Sequence, residues 1–195
     1  MMRNKQLKSE NPIRLLELNP SGTLKKIGLL ENLTVCDIGA GSGIFTIPAA
    51  TITNNTVYAL EINDEMLSVI QVKAEKEGIH NIKPVKVENK RFDLEDNSVD
   101  MALMVTVLHE IDDQAAMSEE IKRILKDGGK LAIIEFHKRE TPMGPPVAHR
   151  MGRDEVLDLL RKKGFTIWND FDLGDNFYCL VFKRDKREQS NTIQP

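Results

Sequence analysis

Residues 35–50 read VCDIGAGSGIFTIPAA: a short apolar run, glycines at 39, 41 and 43, then a helix-forming stretch. The apolar run, Thr34–Ile38, is expected to be a strand. The glycines after it allow a tight turn and let the backbone approach a ligand closely. Pro48 would break a helix interior. A helix starting near Phe45 instead puts Pro48 in the first turn, where its missing N–H leaves no bond unmade. Strand, glycine turn and helix in this order open an α/β fold whose ligands bind at the carboxyl ends of the strands.

Downstream, the same alternation repeats. Thr56–Glu61 reads as a strand. Asp64 is placed to cap a helix that carries Leu67, Ile70 and Ala74 and stops at Gly78. Ile82–Val87 and Asp100–Val105 read as strands, the second almost wholly apolar, as a centrally buried strand should be. Gln114–Lys126 is expected as a helix closed by Asp127-Gly128-Gly129, with Lys130–Phe136 the fifth strand. After the proline-rich Thr141–Pro146, a last helix spans Arg153–Lys163. Phe165–Phe171 and Phe177–Lys183 have only Asp172–Asn176 between them. That gap is too short for a crossover, so the pair must be an antiparallel hairpin. The pattern predicts a single doubly wound α/β domain over residues 1–195, with a mainly parallel sheet and an antiparallel last strand. Residues 1–8 and 184–195, like the run Lys183–Arg187, read as charged, solvated tails.

Composition narrows the class. Of 195 residues, 41% are hydrophobic and 29% charged, a globular balance, and the net charge is −3. A total that acidic argues against a nucleic-acid partner. The two cysteines, Cys36 and Cys179, sit in separate apolar runs, so buried free thiols are expected and no metal site is read. Met1–Glu10 is polar, unlike a secretion leader, and no apolar run is long enough to span a bilayer. A reducing cytoplasm is the expected setting, and oligomeric state is not legible.

The ligand follows from the turn. Glu61 ends the second strand, where a carboxylate can accept both hydroxyls of a ribose. A dinucleotide site needs G-x-G-x-x-G, which glycines at 39, 41 and 43 do not give. A pyrophosphate also wants no anion beside the helix N-terminus, and Asp37 puts one there. Asp37 suits a nucleoside ligand bearing an ammonium group, such as S-adenosylmethionine. The plainer alternative is that the glycines only turn the chain and Glu61 is a solvated strand end.

On these residues the chain resembles the class I S-adenosylmethionine-dependent methyltransferases, in the small-molecule branch that includes the ubiquinone/menaquinone methyltransferases. VCDIGAGSGIFTIPAA resembles that family's first motif, YALEIN its ribose-binding strand end, and VENKRFDLEDNSVD its adenine-side segment. LKDGGKLAIIEF resembles the approach to its fifth strand. The resemblance implies a Rossmann-like seven-stranded sheet in the order 3-2-1-4-5-7-6. It implies a cofactor site at Asp37, Gly39, Ala40, Gly41, Gly43, Glu61 and Ile62, with Glu88 and Asn89 at the adenine and Thr106 at the methionine portion. Glu88 stands where the family more often has Asp. The absence of a cysteine set suited to arsenic speaks against arsenite as acceptor.

Acceptor-side candidates come from clustering at strand ends. His109 could remove an acceptor proton, or could line the site without titrating. Glu110, Glu135, His137, His149 and Arg150 should meet at the same crevice, with Arg150 pairing an anionic acceptor or simply bridging a helix start. Arg14 lies in an N-terminal segment, residues 1–20, expected to cover the site; the alternative is plain surface charge. The expected activity is methyl transfer from S-adenosylmethionine to a small acceptor, giving S-adenosylhomocysteine. An RNA or protein methyltransferase and a non-catalytic binder of the cofactor are the rival readings.

Overall fold

In a computed structural model, which describes residues 11–89 and 91–186, seven strands form one sheet in the order 3-2-1-4-5-7-6. The strands are β1 (Val35–Ile38), β2 (Val57–Glu61), β3 (Ile82–Lys86), β4 (Val99–Val105), β5 (Leu125–Phe136), β6 (Phe165–Leu173) and β7 (Phe177–Arg184). β1 to β5 are mutually parallel, and β7 runs antiparallel to both β5 and β6. The helices are α1 (Pro12–Leu18), α2 (Pro20–Lys26), α3 (Thr46–Ile52), α4 (Asp64–Glu77), α5 (Gln114–Ile124) and α6 (Arg153–Arg161).

The twofold period of a strand sends alternate side chains to opposite faces. Along β7, Tyr178, Leu180 and Phe182 join a core with Ile121 and Ile124 of α5 and Val156 and Leu160 of α6. Phe177, Cys179 and Val181 join a second core with Leu18, Leu24 and Ala49 from α1, α2 and α3. Helices on both faces explain why β1 is buried throughout. Pro84 sits in β3, an edge strand that tolerates a missing donor. No helix among the described residues is long and apolar enough to cross a membrane.

Several local readings need correction. Asn63, not Asp64, caps α4: its side chain accepts the Glu65 N–H at 2.9 Å, while Asp64 enters the first turn and pairs with Lys86. α5 stops at Ile124 and β5 begins at once, so Asp127-Gly128-Gly129 lies inside the strand. There Leu125 pairs with Val99 and Lys130 with Met101, and the extra residues bulge out. A Cβ on Gly129 would lie 2.8 Å from the Lys126 carbonyl, so this bulge requires glycine. Arg184 is no tail residue: it ends β7, is 2% exposed, and donates to Asn97 Oδ1 at 2.6 Å and to the Leu125 carbonyl. Residues 1–10 of the expected cover and 187–195 of the expected tail lie outside the described residues.

Packing on β7 sets a first test. Phe182 is fully buried at the centre of the α5–α6 core. Phe182→Ala should cost about 3–5 kcal/mol in denaturant unfolding. Val72→Ala, on the exposed face of α4 at 63% exposure, should stay within about 0.5 kcal/mol.

Candidate active site

The carboxyl ends of β1, β2 and β4 surround a cavity of about 270 Å³. Its floor is the turn after β1, where Gly39, Gly41 and Gly43 take φ of 71°, 54° and 82°. Left-handed backbone of this kind favours glycine. A Cβ on Gly39 would fall 2.5 Å from the Val107 side chain, and one on Gly43 2.9 Å from Ile70. At Gly41 a Cβ would meet no atom closer than 4.0 Å. Gly39 and Gly43 are therefore required by packing. Gly41, which lines the cavity, keeps space open for something else.

Two buried carboxylates flank this turn. Asp37, at 2% exposure, accepts the Thr46 hydroxyl at 2.6 Å. Burial pushes its pKa up from the usual carboxylate value to about 6, assisted by the charge of Glu61. Glu61 accepts the Gly41 N–H at 2.9 Å and the N–H groups of Ile62 and Asn63 at 2.9 and 3.1 Å. Ala40, Ile62, Thr106, Glu110 and Arg14 also line the cavity. Thr106 has φ 54°, rare for a β-branched residue and a mark of strain at functional sites.

At the end expected to meet the adenine, the cavity wall includes two residues that were not read from the sequence. Glu88 and Asn89 are exposed and lie outside the lining, while Val87 and Phe92 face the cavity. Phe92 is 3% exposed because Glu120 accepts its N–H at 2.6 Å and Arg123 donates to its carbonyl at 3.1 Å. Its only sequence signal was an apolar residue inside a charged loop.

The acceptor-side candidates divide. His109 and His149 border a second cavity, of about 490 Å³, together with Lys138 and Glu155. His109 Nδ1 lies 2.7 Å from Glu135 Oε2, and its backbone N–H donates to the other carboxylate oxygen at 3.2 Å. Both side chains are buried, at 8% and 1% exposure. The Glu135 hydrogen bond raises the His109 pKa above 6.5, with Glu110 adding to it and burial and Arg14 opposing. His137 borders neither cavity. It packs on Tyr178, its ring lies 3.4 Å from Asp172, and burial lowers its pKa. Convergence of three histidines is thus corrected to two.

Arg150 is also corrected. Although it borders the second cavity, its guanidinium donates to the carbonyls of Pro145, His137, Arg139 and Met143 and to Thr141 Oγ1, all within 3.0 Å. Those bonds hold the proline-rich loop in shape and commit Nε, Nη1 and Nη2 each to a loop acceptor rather than to an acceptor molecule's charge.

With this geometry in hand, the chain matches the family described as a methyltransferase domain over residues 36–133. It belongs to that family. It is 31% identical over 119 residues to the ubiquinone/menaquinone biosynthesis C-methyltransferase UbiE of Shewanella halifaxensis, covering 60% of this chain and 47% of that protein. The chain thus spans about half the length of that curated relative. A second UbiE, from Shewanella sp. (strain W3-18-1), is 29% identical over 158 residues, covering 77% of this chain and 59% of the relative. Among solved structures, a SAM-dependent methyltransferase from Aquifex aeolicus superimposes with a TM-score of 0.87 at 29% identity, covering 94% of this chain and 98% of that one.

The cofactor of a SAM-dependent methyltransferase fits the cavity on three observations. Asp37 is a buried anion for the ammonium, Glu61 is an acceptor for ribose hydroxyls, and the open space at Gly41 admits backbone contact.

Gly41 and Asp37 each supply a test. Gly41→Ala should fold and yet bind S-adenosylhomocysteine at least about tenfold more weakly, because the added methyl occupies ligand space. Gly39→Ala should instead lose about 1–3 kcal/mol of stability by overpacking. The folded pKa of Asp37 lies above its unfolded value, so the stability it affords below that unfolded value is lost as pH rises through about 6. Binding a cation reverses the demand, since only the ionised form pairs. Affinity should therefore fall by up to about tenfold per pH unit below about 6, and calorimetry from pH 5 to 8 checks this. A flat profile would remove Asp37 as the ammonium's partner.

Proposed function

We propose that this chain transfers a methyl group from S-adenosylmethionine to a small-molecule acceptor bearing an acidic proton, releasing S-adenosylhomocysteine. The observation that carries the reading is the buried His109–Glu135 pair, whose histidine borders the second cavity and stands next in sequence to Glu110, which lines the cofactor cavity. When bound, the cofactor supplies a methyl carbon made electrophilic by the adjoining sulfonium. The chain's own work is to align the acceptor and to take its proton. Positioning alone can contribute roughly 7–11 kcal/mol to such a displacement.

Glu135 accepts from Nδ1–H of His109, which leaves Nε2 as the basic ring nitrogen. Proton removal at Nε2 makes the acceptor atom nucleophilic as its bond to the methyl carbon forms and the carbon–sulfur bond breaks. The positive charge that appears on the imidazole is held by the Glu135 carboxylate. A pair of this kind serves phenols, enols, thiols or activated ring carbons, which must lose a proton. The UbiE relatives are named as C-methyltransferases of quinone biosynthesis, which supports a small acceptor. Buried, unpaired Cys36 and Cys179 support a reducing compartment.

With an acceptor in hand, His109→Ala should lower turnover by about 10²–10⁴ and leave the S-adenosylhomocysteine Kd nearly unchanged. In the wild type, kcat/KM should rise with pH through an apparent pKa above 6.5, since the neutral ring is the active form. Glu135→Gln should move that limb to lower pH. A pH profile that the Glu135 substitution leaves in place would show that the pair is not the base, and cofactor binding without turnover on any such acceptor would favour a non-catalytic role.

A further inference from the structure

The connection from β3 to β4 is charged and exposed at Arg91, Asp93, Glu95 and Asp96, and yet it buries Phe92 against the cofactor cavity. A stretch this polar gains more from solvent than from turning a ring inward, so the constraint on Phe92 must come from another element. That element is α5. Met117, Glu120 and Arg123 are spaced three residues apart and share one side of the helix. Met117 lines the cofactor cavity directly, and the two charged residues grip the loop beside it.

Glu120 and Arg123 form a two-pronged pair with both side chains largely buried. Arg123 Nε–H donates to Glu120 Oε2 at 2.8 Å, and Nη2–H donates to Oε1 at 2.7 Å. Each also reaches the loop. Glu120 Oε1 accepts the Phe92 N–H at 2.6 Å, and Arg123 Nη2–H donates to the Phe92 carbonyl at 3.1 Å. Arg123 Nη1–H donates to the Leu94 carbonyl at 2.8 Å and to Asp96 Oδ1 at 2.6 Å. Both backbone polar groups of Phe92 are thus tied to one turn of α5, which fixes where its ring can point. The loop then closes on the same helix end, with Asn97 and Ser98 N–H groups donating to the Arg123 and Ile124 carbonyls, each at 2.9 Å. Burial works to raise the Glu120 pKa, but the bonds from Arg123 and the Phe92 N–H outweigh it and lower it, so the pair stays ionised.

We propose that Glu120 and Arg123 are positioning residues for the cofactor, acting on it through Phe92, whose ring they set as the cavity wall on the side expected to meet the adenine. Neither charged residue lines the cavity, so neither acts by touching the ligand. A wall that is ordered before the ligand arrives spares binding the entropic cost of ordering it. The plainer alternative is that the pair only staples a surface loop; it predicts a lower melting temperature and no dependence of ligand affinity on the Phe92 ring. The assignment rests on the cofactor reading above and places affinity on residues far in sequence from the glycine turn.

Calorimetry with S-adenosylhomocysteine on a double-mutant cycle tests it. Phe92→Ala should weaken binding at least about fivefold, the loss of a ring beside the base. Arg123→Leu should weaken it by a similar factor, and Arg123→Lys, which keeps the charge without the fork, by less. Combining Phe92→Ala with Arg123→Leu should leave affinity within about twofold of Phe92→Ala alone, because Arg123 acts only through the ring. Methylthioadenosine, which keeps the nucleoside and lacks the amino acid, should lose the same factor as the full ligand in each single variant. A thermal melt of each variant reports folding, and if Arg123→Leu does not fold, Arg123→Lys completes the cycle. Losses that multiply in the double variant, a folded Arg123→Leu protein of unchanged affinity, or a loss absent with methylthioadenosine would each overturn the assignment. If wild-type protein bound neither ligand, the cofactor reading itself would fail, a result separable from failure of the Arg123 clamp.

Discussion

Three backbone N–H groups, those of Gly41, Ile62 and Asn63, converge on the Glu61 carboxylate at 2.9 to 3.1 Å. This side chain ends β2, and through it the neighbouring strand holds the glycine turn that follows β1. Without such an acceptor the turn would lose the partner of its Gly41 N–H, and the segment after β2 those of Ile62 and Asn63, each such bond being worth about 0.5–1.5 kcal/mol, or more to a charged group. The left-handed backbone at Gly39 and Gly41, the open space over Gly41 and the orientation of Asp37 all depend on the turn staying where Glu61 fixes it. One carboxylate thus shapes the cavity and faces into it.

The order of the sheet decides which chemistry stands next to which. β1 lies between β2 and β4, so the carboxylates of Glu61 and Asp37 and the strained Thr106 come in that order along one edge. β5 comes next and ends with Glu135, which reaches His109 just beyond β4. A ligand laid along the edge would therefore run from the apolar side of Phe92 toward a base. Arg14 enters from outside the sheet, on a helix that the hairpin turn at Asp175 and Asn176 secures through Glu17.

The fold was legible because its cues are local. Alternating apolar runs with glycine stops gave every strand, and the short Asp172–Asn176 connection forced the hairpin. What failed were features whose cause lies across space. The bulge through Asp127-Gly128-Gly129 is dictated by the register of β4, so a helix stop was read where a strand already runs. Arg184 looks like a tail residue until Leu125 and Asn97 meet it. In the site, Asp37 and Glu61 were readable from position alone. Phe92 and the loop-holding role of Arg150 were not, since both depend on partners many residues away. Proximity of His109 to Glu135 followed from strand-end convergence, while the hydrogen bond between them required the structure.

The central claim is that the turn after β1 and the end of β2 form a site for S-adenosylmethionine. Titration of ligand-free protein with S-adenosylhomocysteine tests it most directly, with Glu61→Gln in parallel. The account predicts a single site with a Kd of about micromolar order in the wild type, weakened at least about tenfold by the substitution. Absence of binding to wild-type protein at ligand concentrations of about 1 mM, or equal affinity in both proteins, would contradict it.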